Sequence, residues 1–461
     1  MARTAVIVGA GLGGSLLAHY LGRAGWTVDL YERRGDPRAR DFVGGRSINL
    51  AISARGLHAL ERGGLAHDIR THGIRMPGRM LHGVDGSTTF VPYSADPSRA
   101  IMSFSRSALN LMLLRAAAEH STVRMHFEHR CVGLDEQRGA AIFERADGTR
   151  VEAHADLIVG ADGAYSAVRS HMEKREGFDY SQSWLEHGYK ELCIPPVASG
   201  PHTPFAMEPH ALHIWPRGAH MMIALPNPDG SFTCTLFWPH AAHGASNAPT
   251  DAAPHAASFS TVRTGAQAAA FFARAYPDAV PLMPTLQEDF DRNPVGSLVT
   301  VRCYPWVLAG RFALLGDAAH AVVPFYGQGA NASFEDCESL LDCLERANND
   351  VPAALDMYQR DRKANADAIA DMALDNFIEM RDRTAHLSFK LRKKLDHALN
   401  RLLPRTWVPL YDLVSFSTVP YARARARARA QDRLLRRTAL AAALLLGVVG
   451  VALVVLALRG A

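Results

Sequence analysis

Six residues behind the first strand-like run decide most of what this chain can fold into. Ala5-Val6-Ile7-Val8 leads directly into Gly9-Ala10-Gly11-Leu12-Gly13-Gly14. A helical pattern then runs to about Arg23, and a second strand-like run, Thr27 to Tyr31, is closed by Glu32. In such a β-α-β unit the first glycine permits the tight turn, the second lets backbone amides approach a pyrophosphate, and the third allows helix and strand to pack closely. Glu32 is placed to accept from a ribose hydroxyl and would repel a 2′-phosphate, so the expected ligand is FAD or NAD rather than NADP. Gly9, Gly11, Gly13, Gly14 and Glu32 are thus candidate cofactor-binding residues.

A chain of 461 residues has room for two or three domains. A net charge of +4, with much of the excess near the C-terminus, argues against nucleic-acid binding. The six cysteines form neither a CxxC pair nor a Cys/His spacing typical of zinc, so free thiols and no metal are expected. No secretory pattern precedes the first strand. From Ala439 to Leu458 there is no charged or polar side chain, and roughly 20 apolar residues cross a ~30 Å hydrocarbon layer as a helix. Arginines alternate with alanines from Arg423 to Arg429, and Arg433, Arg436 and Arg437 follow before the apolar run; only Arg459 comes after it. The positive-inside rule then keeps the large domain cytosolic, at a bacterial inner or mitochondrial outer membrane.

Further along, Ala211 to Trp215, His220 to Leu225 and Phe232 to Trp238 read as an antiparallel meander with turns at Pro216-Arg-Gly-Ala and Pro226-Asn-Pro-Asp-Gly230. His240 to Ala257 has the composition of an exposed loop. A buried strand is expected at Phe312 to Leu315, a helix at Ser333 to Ala347, and helical structure from about Pro352 to Leu403.

Two more stretches carry chemistry: Leu157-Ile-Val-Gly-Ala-Asp162-Gly163-Ala-Tyr-Ser166-Ala-Val-Arg169 and Phe312-Ala-Leu-Leu-Gly316-Asp317-Ala-Ala-His320. Each puts an Asp just past an apolar strand, where open α/β sheets present ligand-contacting loops, although a helix cap would explain either Asp alone. Together with the glycine motif they resemble the three motifs of single-component FAD-dependent aromatic hydroxylases. Pro324 to Asn331, glycine-rich and followed by a helical segment, would set helix-start amides toward negative charge. The resemblance narrows to the kynurenine 3-monooxygenase family at Gly45-Arg46-Ser47-Ile48-Asn49-Leu50-Ala51, Gly78-Arg79-Met80, Val91-Pro92-Tyr93, His187-Gly188-Tyr189, Met207-Glu208-Pro209, His213-Ile214-Trp215-Pro216-Arg217, Phe232-Thr-Cys-Thr-Leu-Phe237 and Asn376-Phe377-Ile378-Glu379-Met380. It covers nearly the whole chain.

That resemblance implies an α/β chain of mixed α+β character. A Rossmann-like FAD-binding domain (1–75, 100–180, 295–350) would carry an inserted β-sheet substrate domain (76–99, 181–294), then a C-terminal helical region (351–430) and one transmembrane helix (439–458). It implies FAD contacts at Asp162 and Asp317 and also at Arg33, Ala51, Arg106, Cys131, Gly329, Ala330 and Asn331. It implies L-kynurenine contacts at Arg79, Tyr93, Asn376, Glu379 and Tyr411. NADPH and O2 would be co-substrates, a flavin hydroperoxide the oxidant and 3-hydroxy-L-kynurenine the product, with no catalytic protein nucleophile, no metal and no obligate protein partner.

The residue chemistry is compatible with this. Arg79 can fork a carboxylate and Tyr93 can add a hydroxyl donor. On a helix through 369–383, Asn376 shares the stripe of Ile369, Met372, Ala373 and Met380, with Glu379 ~60° away. A surface salt bridge for Arg79 and a satisfied core hydrogen bond for Asn376 are the plain alternatives. Ala330 stands where relatives commonly carry a larger residue. Two rival functions stay open: hydroxylation of another aromatic acid, and a membrane-tethered flavoprotein that hydroxylates nothing.

Overall fold

The structure, a computed structural model, describes residues 3–39, 49–94, 96–241, 257–378, 396, 398–404 and 406–459. The expected β-α-β unit is present as Thr4–Val8, Leu12–Arg23 and Thr27–Tyr31. It seeds a six-stranded sheet in the order Val307–Leu308, Phe312–Leu314, Leu157–Gly160, Thr4–Val8, Thr27–Tyr31, Val123–His126, parallel except at the 307–308 edge. Val8 pairs with Gly160, and Gly160 with Leu314. The three motif loops therefore leave the sheet side by side at its carboxyl end, where open α/β sheets bind ligands. The central strands are near-continuous runs of buried Val, Ile and Leu, as a sheet covered on both faces requires.

The helix 12–23 buries ten of its twelve residues and packs between Arg106–Ala118 and Gly329–Arg346. Contact that close needs glycine. A Cβ at Gly14 would lie 1.9 Å from the Gly9 carbonyl oxygen, and one at Gly13 would lie 2.3 Å from Ser333 Oγ.

A second sheet of seven strands runs Gly296–Tyr304, Asp179–Ile194, Phe232–Pro239, His220–Pro226, Ala211–Arg217, Gly78–His82, Thr88–Pro92. The expected meander is its centre. One face packs on the helices Gly265–Ala275 and Leu286–Arg292 around Trp215, Trp238, Phe272 and Tyr276. Pro216, expected in a turn, instead pairs with Met221 inside the strand. The neighbour on its other side reaches only Ile214, so at this position the strand is an edge, where a missing N–H costs no ladder bond. Strand 296–304, placed by the sequence with the nucleotide-binding part, is the far edge of this sheet.

The helix expected from Ser333 begins earlier, at Gly329. Asn331 draws the preceding residues into the first turn by donating from Nδ2 to the Gly327 carbonyl (2.8 Å). The helix Val351–Ile378 is followed by Leu410–Ser415 and Tyr421–Arg459, which share a small core of Ile369, Met372, Leu413, Val414 and Tyr421. Among the described residues no helix is long and apolar enough to cross a membrane. The expected spanning segment lies in the helix 421–459, but most side chains beyond 438 fall outside the described residues; Leu440, Leu444 and Leu458 are exposed. The His240–Ala257 loop and Gly45 to Ile48 also fall largely or wholly outside.

Candidate functional site

At the glycine motif, Gly9 has φ +103°, which a side-chain-bearing residue rarely adopts, and a Cβ there would lie 2.6 Å from the Ala161 carbonyl oxygen. Gly11, by contrast, faces open space. The turn is thus drawn tight on its inner side and left clear on the outer side, as a cradle for a phosphate-bearing ligand requires. Glu32 is buried, and its two oxygens accept from the Ala10 amide (3.0 Å) and from the Arg34 amide and Nε (3.0 and 2.8 Å). Burial alone would raise its pKa, but the hydrogen bonds and charge of Arg34 outweigh it and hold the carboxyl below its usual value. The carboxylate therefore braces the turn as well as facing it. Arg33 is exposed.

Both motif aspartates stand at helix starts. Asp162 Oδ2 accepts from the Ala167 amide (2.6 Å) and the Val168 amide (3.3 Å), capping Ala167–Met172. Its Oδ1 is buried with no partner among the described residues, and burial raises its pKa. A buried carboxylate oxygen left bare is costly until a ligand donor reaches it. Asp317 is half-buried at the start of Asp317–His320, and its side chain has no hydrogen bond among the described residues. Arg169 ties the two loops together by donating to the Ala164 carbonyl (2.7 Å) and the Ala318 carbonyl (2.9 Å). Cys131 lies near Asp162, its buried thiol pushed up to about 12, chiefly by burial. These features fit a dinucleotide: a glycine cradle, an orphaned acceptor, and a second free carboxylate on the neighbouring strand end.

Sequence reasoning passed over Asn110. Its Nδ2 donates to the Ala10 carbonyl (3.2 Å), and its Oδ1 is buried without a partner among the described residues, beside the glycine turn. Arg106, four residues earlier, is the exposed first residue of the same helix. Asn331, expected to touch cofactor, has its side chain engaged elsewhere. It donates to the Ala51 carbonyl (2.9 Å) and accepts from the Ser53 amide (2.9 Å), clamping strand 50–52 to the helix start at Gly329 and Ala330. Any cofactor contact there falls to the backbone.

Strand 50–52 also packs beside a second cluster, between the two sheets. Arg79, on Gly78–His82, sets its guanidinium 5.1 Å from the ring centres of both Tyr93 and Tyr411. Those rings stack at 5.2 Å and 14°. Tyr326 stacks on the other side of Tyr411 at 5.8 Å, and Phe416 closes one edge. Arg79 Nε and the Tyr93 hydroxyl are both buried with no partner among the described residues. Burial would lower the Arg79 pKa, but the two tyrosines outweigh it and the net direction is upward; burial raises that of Tyr93. The guanidinium and phenol sit close enough to interact with each other and with the Tyr411 hydroxyl, but Arg79 Nε and the Tyr93 hydroxyl form no hydrogen bond of normal geometry and so remain available to a ligand. Asn376, half-buried, donates from Nδ2 to the Phe325 carbonyl (2.7 Å), fixing the turn that carries Tyr326. Glu379 lies outside the described residues. The structure thus brings Arg79, Tyr93 and Tyr411 into contact, with Asn376 reaching the adjoining turn.

The FAD binding domain family matches residues 2–228 and 300–373. The chain is 44% identical to kynurenine 3-monooxygenase of Anopheles gambiae over 94% of its own length and 85% of the relative's. It is 47% identical to the Myxococcus xanthus enzyme of that name, over 91% and 87%. Among solved structures it resembles 2-methyl-3-hydroxypyridine-5-carboxylic acid oxygenase, with a TM-score of 0.64 at 23% identity over 84% of this chain and 94% of that one. It also resembles P. aeruginosa PqsL in complex with 2-aminobenzoylacetate, with a TM-score of 0.62 at 22% identity over 83% and 98%. At such identities these two likenesses concern the fold alone.

Proposed function

The chain belongs to the kynurenine 3-monooxygenase family, and from that premise we propose that it hydroxylates L-kynurenine at ring position 3, consuming NADPH and O2, in tryptophan degradation. The observation that carries the reading is the pair of unpartnered buried donors, Arg79 Nε and the Tyr93 hydroxyl. Leaving them bare costs roughly 1–3 kcal/mol each, a cost a substrate carboxylate would remove. Arg79 offers it a fork, Tyr93 a further donor, and the stacked rings of Tyr93 and Tyr411 supply apolar faces for an arene.

FAD, once bound, supplies the reducing electrons taken from NADPH and the activation of dioxygen. The protein's share is placement. Gly9, Gly11 and Gly14 would admit the pyrophosphate, Asp162 and Asp317 would accept from hydroxyls, and Asn110 offers a further acceptor. The turn 324–328 and the helix start at Gly329 would set backbone amides toward developing negative charge. Phe237, Phe325 and Phe377 back the turn with an apolar cluster that keeps water away. Glu379 would hold the substrate ammonium, as the family resemblance implies.

The helix 421–459 is unbroken through the apolar run, and Leu440, Leu444 and Leu458 are exposed among the described residues. This supports a single-pass C-terminal anchor with the catalytic body on the cytosolic side.

The deciding experiment supplies the purified FAD-loaded protein with L-kynurenine and NADPH in air and identifies the product by mass and retention. A ring-hydroxylated kynurenine is expected. NADPH oxidation with peroxide alone, or faster turnover of an aromatic acid lacking an ammonium group, would overturn the assignment.

A further inference from the structure

Seven arginines fall between 423 and 437, and the fold sorts them into two groups. Arg425 pairs with Asp371 and, at 3.9 Å, with Asp375, while Arg427 donates to the Thr406 carbonyl (3.2 Å). Arg423, Arg429, Arg433, Arg436 and Arg437 are exposed and make no ion pair or hydrogen bond among the described residues. At ~100° per residue these five lie within an arc of about 140°. Tyr421 and Ala424, the buried positions of the same helix, point to the opposite side. The alternating Arg-Ala pattern therefore becomes, once helical, one packed face and one face of free guanidinium groups.

Distance along the helix narrows the function of that face. With ~1.5 Å rise per residue, Arg437 and Arg436 stand about 3 and 5 Å from Ala439, and Arg433 about 9 Å. A headgroup layer is roughly 5–8 Å deep, and surface potential decays over ~8–10 Å at physiological salt. Arg429 and Arg423, about 15 and 24 Å out, lie beyond it. Arg429 and Arg433 also line a groove against Val351–Ile378 whose carboxylate is Asp367.

We propose that Arg433, Arg436 and Arg437 bind the phosphate groups of anionic phospholipids, docking the catalytic body on the bilayer face from which its anchor enters. The occupant is a lipid headgroup rather than a nucleic acid because the cations are confined to the end of one helix that continues without a break into the apolar run. A guanidinium forks a phosphate better than an ammonium does, which suits a face built of arginine alone. The proposal rests on the anchor reading above, and its test separates the two.

The full chain in mild detergent is titrated with phosphatidylglycerol or phosphatidylcholine, and bound lipids are counted by native mass spectrometry; in parallel, vesicle-bound protein is washed with carbonate. Phosphatidylglycerol is expected to be retained at least ~10-fold better, at about fivefold per arginine near an anionic surface. The triple variant Arg433→Gln/Arg436→Gln/Arg437→Gln should lose that preference while staying carbonate-resistant, and Arg423→Gln should keep it. Equal retention of the two lipids, or selectivity that survives the triple variant, overturns the docking face. Tight retention on duplex DNA in place of lipid overturns it as well. Release by carbonate with selectivity intact removes the anchor but upholds the docking face.

Discussion

At the scale of single residues, the site is distinguished by polar atoms that the protein itself leaves unused. Because the Tyr93 hydroxyl is buried with no hydrogen-bond partner among the described residues, Tyr93→Phe relieves that cost and should raise the melting temperature of the free enzyme or at least not lower it. It should nevertheless raise KM for L-kynurenine by roughly 2- to 10-fold, the worth of one lost hydrogen bond. A fall in melting temperature with KM intact would make Tyr93 a structural residue. Gly14→Ala acts differently, since its Cβ would meet the Gly9 carbonyl at 1.9 Å, and backbone cannot step aside cheaply. The variant should purify colourless, as flavin absorbance would record. The glycine motif was legible because its spacing is local. Arg79, Tyr93 and Tyr411 are separated by up to hundreds of positions, and no periodicity links them; only family resemblance joined them before the fold did. Asn110 gave no signal at all, because one amide on a helix reads as a solvated position.

Among the elements, the short helix bearing Tyr411 depends on a buried arginine. Arg55 donates from Nε to the Val414 carbonyl (2.8 Å), from Nη2 to the Leu413 and Val419 carbonyls, and pairs through Nη1 with Glu335 (2.7 Å). Its guanidinium lies 3.9 Å from the Tyr421 ring centre, and the Tyr421 hydroxyl donates to Gln328, the residue that starts the helix 329–346. Arg55→Ala should destabilise by ~3–5 kcal/mol, since it strands a carboxylate and several carbonyls. It should also raise KM by loosening Tyr411. Thermal melting and steady-state kinetics check both. A second buried network concerns acid stability. Asp336 accepts from Arg362 Nε (2.6 Å), from the Gly316 amide (3.0 Å) and pairs with His320 (2.6 Å). Burial alone would raise its pKa, but His320 and Arg362 more than offset this and depress it. A depressed carboxyl contributes stability that is complete above its unfolded value of ~4 and is lost as pH falls through the folded one. Asp336→Asn should therefore lower the urea midpoint near neutral pH, with the gap from wild type closing below about pH 4. A gap that stays constant would contradict the sign.

The same scale explains what the sequence hid. The strand Asp179–Ile194 escaped notice because its first half is largely exposed and polar, so it carries no alternation. The helix Gly265–Ala275 had a readable start in the capping box of Thr264 and Gln267, a signal left unused.

Across the whole molecule, one sheet presents the glycine-motif and aspartate loops and the other carries Arg79, with Tyr93 just past its edge strand and strand 50–52 and the turn 324–328 between the two sheets. That division explains why the nucleotide half could be read from local motifs, whereas the second sheet was legible only as a meander. Cutting the chain after Thr438 should abolish carbonate-resistant membrane association and leave kcat within about twofold, because the site lies wholly upstream. Loss of activity with flavin retained would place the distal helix in the catalytic unit. The most direct test of the account is an anaerobic titration of the FAD-loaded enzyme with L-kynurenine, followed by flavin absorbance. Wild type should give a saturable spectral shift, and Arg79→Ala, with equal flavin content, should move its midpoint by at least ~10-fold, as loss of a charged hydrogen bond predicts. An unchanged midpoint would mean that Arg79 does not hold the substrate, and the proposed site would be wrong.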